Sequence, residues 1–139
     1  MQSRHVLAFP GKREAIERAF IDLRGALDGH ALGPRARYTC ELVFEEIVTN
    51  IIKHAYRDDG EHTIELTVDF PDEAIVMRFE DDGVPFDPTH HPPMQPAKSI
   101  LEASIGGRGL FLVRSRARLV EYERTPTDRN RLTITIGRN

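Results

Sequence analysis

The chain has 139 residues, 40% of them hydrophobic and 29% charged, with a formal net charge of -3. That is an ordinary balance for one globular domain spanning residues 1–139, and it argues against direct nucleic-acid binding, which favours a basic surface. A single cysteine, Cys40, excludes an intramolecular disulfide framework, no apolar run approaches the roughly 20 residues of a membrane span, and Met1 to Pro10 lacks the apolar stretch of a secretory signal, so a cytoplasmic setting without a membrane partner is expected.

His5 to Phe9 reads as a short strand, stopped by Pro10-Gly11. Lys12 to Asp28 then reads as a helix, because Ile16, Ala19, Phe20, Leu23 and Leu27 recur at helical spacing. Gly29 stands where a helix-ending glycine often stands. Gly33-Pro34 opens a second helix, expected to run to about Tyr56. Its apolar set (Leu42, Val43, Phe44, Ile47, Val48, Ile51, Ile52, Ala55) is wide enough for burial on more than one side.

Two strands follow. Ile64, Leu66, Val68 and Phe70 alternate with Thr63, Glu65, Thr67 and Asp69; after the turn at Pro71-Asp72-Glu73, Ile75, Met77 and Phe79 alternate with Val76, Arg78 and Glu80. One wet and one apolar face marks an antiparallel pair. Residues 87–107 form a long, proline-rich segment, expected to be a functional lid that is unordered when nothing is bound, with one helical turn at Ser99 to Ala103. Gly109 to Ala117 looks helical, and Leu119 to Arg124 with Arg131 to Ile136 makes a closing hairpin. The expected class is α+β: a two-layer α/β sandwich, its mostly antiparallel mixed sheet of about five strands covered on one face by three main helices.

Three features carry chemistry. Glu46 and Asn50 are four residues apart on the second helix and share a face, which His54 continues. A carboxylate and an amide in so apolar a helix need a partner or a ligand. Asp81 continues the inward parity of Ile75, Met77 and Phe79, and a buried aspartate needs donors, such as the exocyclic amine of a purine. Gly83 would let a flat ring approach the backbone. Gly106-Gly107-Arg108-Gly109-Leu110 opens the last helix, where free N–H groups and a positive helix end favour a phosphate chain, with Arg108 adding charge. Read singly, each has a plain structural reading: a polar helix edge, a turn and a hinge. His90 and His91 read as lid residues rather than metal ligands, Cys40 as packing, and Arg114, Arg116, Arg118, Glu121, Glu123 and Arg124 as solvated faces.

In this order the features resemble the boxes of the GHKL (Bergerat-fold) ATPases, over residues 37–136. Glu46-Ile-Val-Thr-Asn50 resembles the N box. Asp81-Asp-Gly83-Val-Pro, continued by Phe86-Asp-Pro, resembles the G1 box of the anti-sigma-factor serine kinase branch, and Gly107-Arg-Gly109-Leu110 resembles the G2 box. The resemblance implies ATP and Mg²⁺ as cofactors. Glu46 would be the general base, Asn50 the Mg²⁺ ligand, and Asp81 the acceptor for the adenine amine. Gly83, Gly107, Arg108, Gly109 and Leu110 would surround the nucleotide. It further implies a kinase that phosphorylates a STAS-type anti-sigma-factor antagonist and binds a sigma factor. Related kinases commonly form homodimers, and the free edge of the first strand offers one surface. A second function class stays open: an ATP/ADP-binding module that sequesters a partner without phosphorylating it. The stretch Ser104-Ile105-Gly106 lacks the arginine that some family kinases place there, which keeps that class in play.

Overall fold

The computed structural model describes residues 4–56, 58, 60–90 and 108–139, with the backbone alone for residues 90 and 108–111. The expected helical turn at Ser99 to Ala103, the lid from residue 91 onward, His91, Gly106 and Gly107 lie outside the described residues.

Strand β1 (Arg4–Pro10) leads into helices α1 (Arg13–Asp28) and α2 (Pro34–Asn50). Strands β2 (Thr63–Asp69) and β3 (Ala74–Asp81) follow, then α3 (Arg108–Arg116), β4 (Leu119–Arg124) and β5 (Asn130–Gly137). The sheet order is β1-β2-β3-β5-β4. Every neighbouring pair is antiparallel, so the sheet is not mixed. Alternation decides which face is covered: Ile75, Met77 and Phe79 of β3 and Leu132, Ile134 and Ile136 of β5 are all buried, while the residues between them stay half-exposed. The helices meet this apolar face through Ala19, Leu23 and Leu27 of α1, Val43, Phe44, Ile47 and Val48 of α2, and Val113 of α3. Cys40 is wholly buried among them and its thiol is pushed up to about 12 by that burial, as suits a packing residue. Among the described residues no helix is long and apolar enough to cross a membrane.

The second helix departs from expectation at its end. Regular α-helix stops at Asn50, and Ile51–Ala55 winds as a π-helical segment. Such wide turns concentrate at functional sites, and this one begins directly after Asn50. Its last residue is tied to the loop after β3, because the Val84 N–H donates to the Ala55 carbonyl at 2.9 Å. Gly83 makes that approach possible: a Cβ there would stand 2.5 Å from the same carbonyl oxygen.

Candidate nucleotide site

The helix contribution comes from one stripe of α2. Glu46 and Asn50 are both half-buried and one turn apart, whereas Glu45 and Thr49 are exposed on the neighbouring stripe. The Glu46 carboxyl is shifted above the ordinary carboxylate range, first by burial and then by the Glu45 charge, with Lys53 opposing. His54 does not simply continue this line. It falls within the π segment, and its ring stacks on Phe86 at 5.0 Å between centroids, closing the loop after β3 against the helix end.

The sheet contribution is Asp81, the last residue of β3, flanked in register by Ile64 of β2 and Asn130 of β5. It is 3% exposed, as its parity predicts. Its Oδ1 accepts from the Gly83 N–H at 2.9 Å and from Asn130 Nδ2 at 2.9 Å. Burial raises its pKa and Asp82 adds to the rise, against the two hydrogen bonds and the Arg124 charge.

Asn50, Asp81 and Asn130 line one cavity, together with Ile47, Phe79 and Phe86. Its volume is about 20 Å³, of the order of a single water. A larger groove, about 450 Å³, runs between α1 and α2, but it is lined by Glu45 and Thr49 rather than Glu46 and Asn50. Of these two, the smaller cavity is the one where the buried polar side chains of Asp81 and Asn130 meet Asn50. Arg108, Gly109 and Leu110 form the first turn of α3, which packs on α2.

Sequence reading misses two members of this site. Asn130 is 4% exposed and bonds to Asp81. The parity of Leu132, Ile134 and Ile136, carried one step back, points to it, but the expected strand begins one residue too late. Arg124 is expected on a solvated face. Instead its Nη1 donates to the Gly83 carbonyl at 2.9 Å and to Asn130 Oδ1 at 3.2 Å.

Residues 9–136 match the histidine kinase-like ATPase domain. The serine/threonine-protein kinase BtrW of Bordetella bronchiseptica is 33% identical over 103 residues, covering 73% of this chain and 70% of BtrW. The serine-protein kinase RsbW of Listeria monocytogenes is 29% identical over 119 residues, covering 81% of this chain and 74% of RsbW. The chain therefore belongs to the histidine kinase-like ATPase domain family.

Proposed function

We propose that this chain is an ATP-dependent serine-protein kinase of the anti-sigma-factor type, which phosphorylates a STAS-type antagonist and binds a sigma factor. The observation that carries the reading is the convergence of Asn50 and Asp81 on one cavity, with Glu46 one turn before Asn50 on the same helix stripe. Relatives named as serine-protein kinases support the reaction class.

The residues suit Mg-ATP. Asp81 accepts from the adenine amine. The start of α3, with Arg108, Gly109 and Leu110, would turn backbone N–H groups toward the phosphates, and Gly107 precedes it in the sequence. The Asn50 amide oxygen would hold Mg²⁺, a hard cation that takes oxygen ligands. When bound, the metal would offset the charge of the phosphates. Glu46 takes the proton of the acceptor serine as its oxygen bonds to the γ-phosphorus; the bond from that phosphorus to the bridging oxygen breaks, and ADP leaves. A carboxylate shifted upward by burial is a suitable base for this transfer. Ligand pockets measure roughly 300–1,000 Å³, so this cavity of about 20 Å³ has to widen before a purine enters.

The test is transfer of label from γ-labelled Mg-ATP to serine of a STAS-type antagonist, with Glu46→Gln beside the wild type. Phosphoserine from the wild type and none from Glu46→Gln, with nucleotide binding kept in both, is the expected outcome. ATP binding without transfer to any such antagonist favours the sequestering module instead. No binding at millimolar ATP removes both.

A further inference from the structure

The polar cluster around Asp81 is more elaborate than an acceptor for one amine requires. Asn130 uses its whole amide. Its Nδ2 donates to Asp81 Oδ1 at 2.9 Å and to the Val84 carbonyl at 2.8 Å. Its Oδ1 accepts from the Phe86 N–H at 3.2 Å, the Tyr122 hydroxyl at 2.5 Å and Arg124 Nη1 at 3.2 Å. The amide dipole thus lies between a guanidinium at its oxygen and a carboxylate at its nitrogen, an alignment that favours charge on Asp81. The Gly83 N–H closes the same carboxylate oxygen from the other side. With two donors on Oδ1, a proton on Asp81 belongs on Oδ2, the oxygen left for the cavity. While the carboxyl is ionised, Oδ2 only accepts. A 6-amino purine brings a donor to it; a 6-oxo purine brings a second acceptor and is repelled.

We propose that Asn130, backed by Arg124, is a positioning residue for base selection: by saturating Asp81 Oδ1 it keeps an acceptor-only edge toward the cavity, so the site takes 6-amino purine nucleotides over 6-oxo ones. The inference rests on the reading that the base binds at Asp81. Protonation of Asp81 abolishes the selection, because Oδ2–H then donates to the 6-oxo group. The groups facing this carboxyl are Asn130, the Gly83 N–H and Arg124, which favour its charge, and Asp82, which disfavours it. Tyr56, just past the π segment, and Tyr122 from β4 also couple to it.

The experiment is calorimetric binding of ATP and of inosine triphosphate, from mildly acidic to mildly alkaline pH. The proteins are the wild type, Asn130→Ala, Asn130→Ser and Arg124→Gln. Wild type is expected to prefer ATP by about 10- to 100-fold at alkaline pH, the preference shrinking on acidification. Asn130→Ala reduces that preference at least about fivefold, chiefly by weakening ATP, and moves its loss to higher pH. Asn130→Ser keeps a donor hydroxyl and restores part of it. Arg124→Gln, at a half-exposed strand end, gives a smaller change in the same direction and is informative even where Asn130→Ala folds poorly. Parallel losses for both nucleotides, with preference and pH dependence unchanged, overturn the proposal and leave the cluster a structural brace. Equal wild-type affinity for ATP and inosine triphosphate overturns it too, while nucleotide binding stands. Wild type binding neither removes the underlying reading along with it.

Discussion

At Asp81 the pocket is held by bonds that cross the sheet; at Glu46 and Asn50 it is held by the geometry of one helix. Asn130 lies 49 residues from Asp81 and bonds to it directly, and Arg124 reaches across 41 residues to the Gly83 carbonyl. Glu46 and Asn50 owe their common direction to a four-residue spacing within α2. The Asp81 end, proposed to hold the base, is therefore interlocked, and a change of shape there disturbs several partners at once. The end proposed to be catalytic is a pair of half-buried side chains on a helix whose buried Val43, Phe44, Ile47 and Val48 anchor it in the core. Substitutions there should change chemistry while leaving the fold alone.

Glu46→Gln gives the largest expected effect. The amide is nearly isosteric and cannot take a proton, so phosphotransfer should fall by about 10²- to 10⁴-fold with ATP affinity and melting temperature close to wild type. A large fall in melting temperature would show that this end, too, is braced by bonds through Glu46. Asp81→Asn comes next. Oδ1 can still accept from Gly83 and Asn130, but the atom facing the cavity becomes a donor, so ATP affinity should drop about 10- to 100-fold. The sign for stability follows from linkage. Burial raises the Asp81 pKa in the folded state, so the stability tied to this group is full below the unfolded value and is lost as pH rises through the folded one. An asparagine carries no such penalty, and the variant should melt at or above wild type at neutral pH. Unfolding of Asp81→Asn under those conditions would contradict the account of the cluster.

What the sequence discloses follows the same division. Periodicity within one element places Glu46 and Asn50 on one stripe and Asp81 inside, because one covered face forces the parity of β3. Arg124 shares the inward parity of Val120 and Tyr122, but its charge suggests solvent, and its main partner is a backbone carbonyl that no local pattern marks. The π segment is hidden for a related reason. Its apolar spacing is that of an ordinary helix end, and the bond that ties Ala55 to Val84 joins parts of the chain no short window contains. Whatever the distant packing of the loop after β3 decides is what the local pattern misses.

Gly83→Ala tests that packing. The new Cβ would meet Ala55 at 2.5 Å from its carbonyl oxygen and 2.7 Å from its Cβ, and relief would break the Val84 to Ala55 bond. Overpacking of this kind costs about 1–3 kcal/mol, read as a melting temperature lower by several degrees. An unchanged melting temperature would mean that the loop yields, and that the base end is softer than its bonds suggest.

The smallest expected effect separates the two ends by pH alone. A base works deprotonated, so a Glu46 carboxyl raised above the ordinary range makes the phosphotransfer rate fall at a correspondingly higher pH on the acid side. Burial is the larger cause of that shift and the Glu45 charge the second. Glu45→Gln removes only the second, so the acid limb of kcat/KM should move to lower pH yet stay above the ordinary carboxylate range. The difference between variant and wild type should be largest on the acid side and shrink as pH rises, because removing the Glu45 charge eases ionisation of Glu46. The ATP preference over inosine triphosphate should be untouched, since no bond runs from Glu45 to the Asp81 cluster among the described residues. A limb that stays put, or a preference that moves with it, would show the two ends titrating as one unit rather than as a helix face and a separate interlocked cluster.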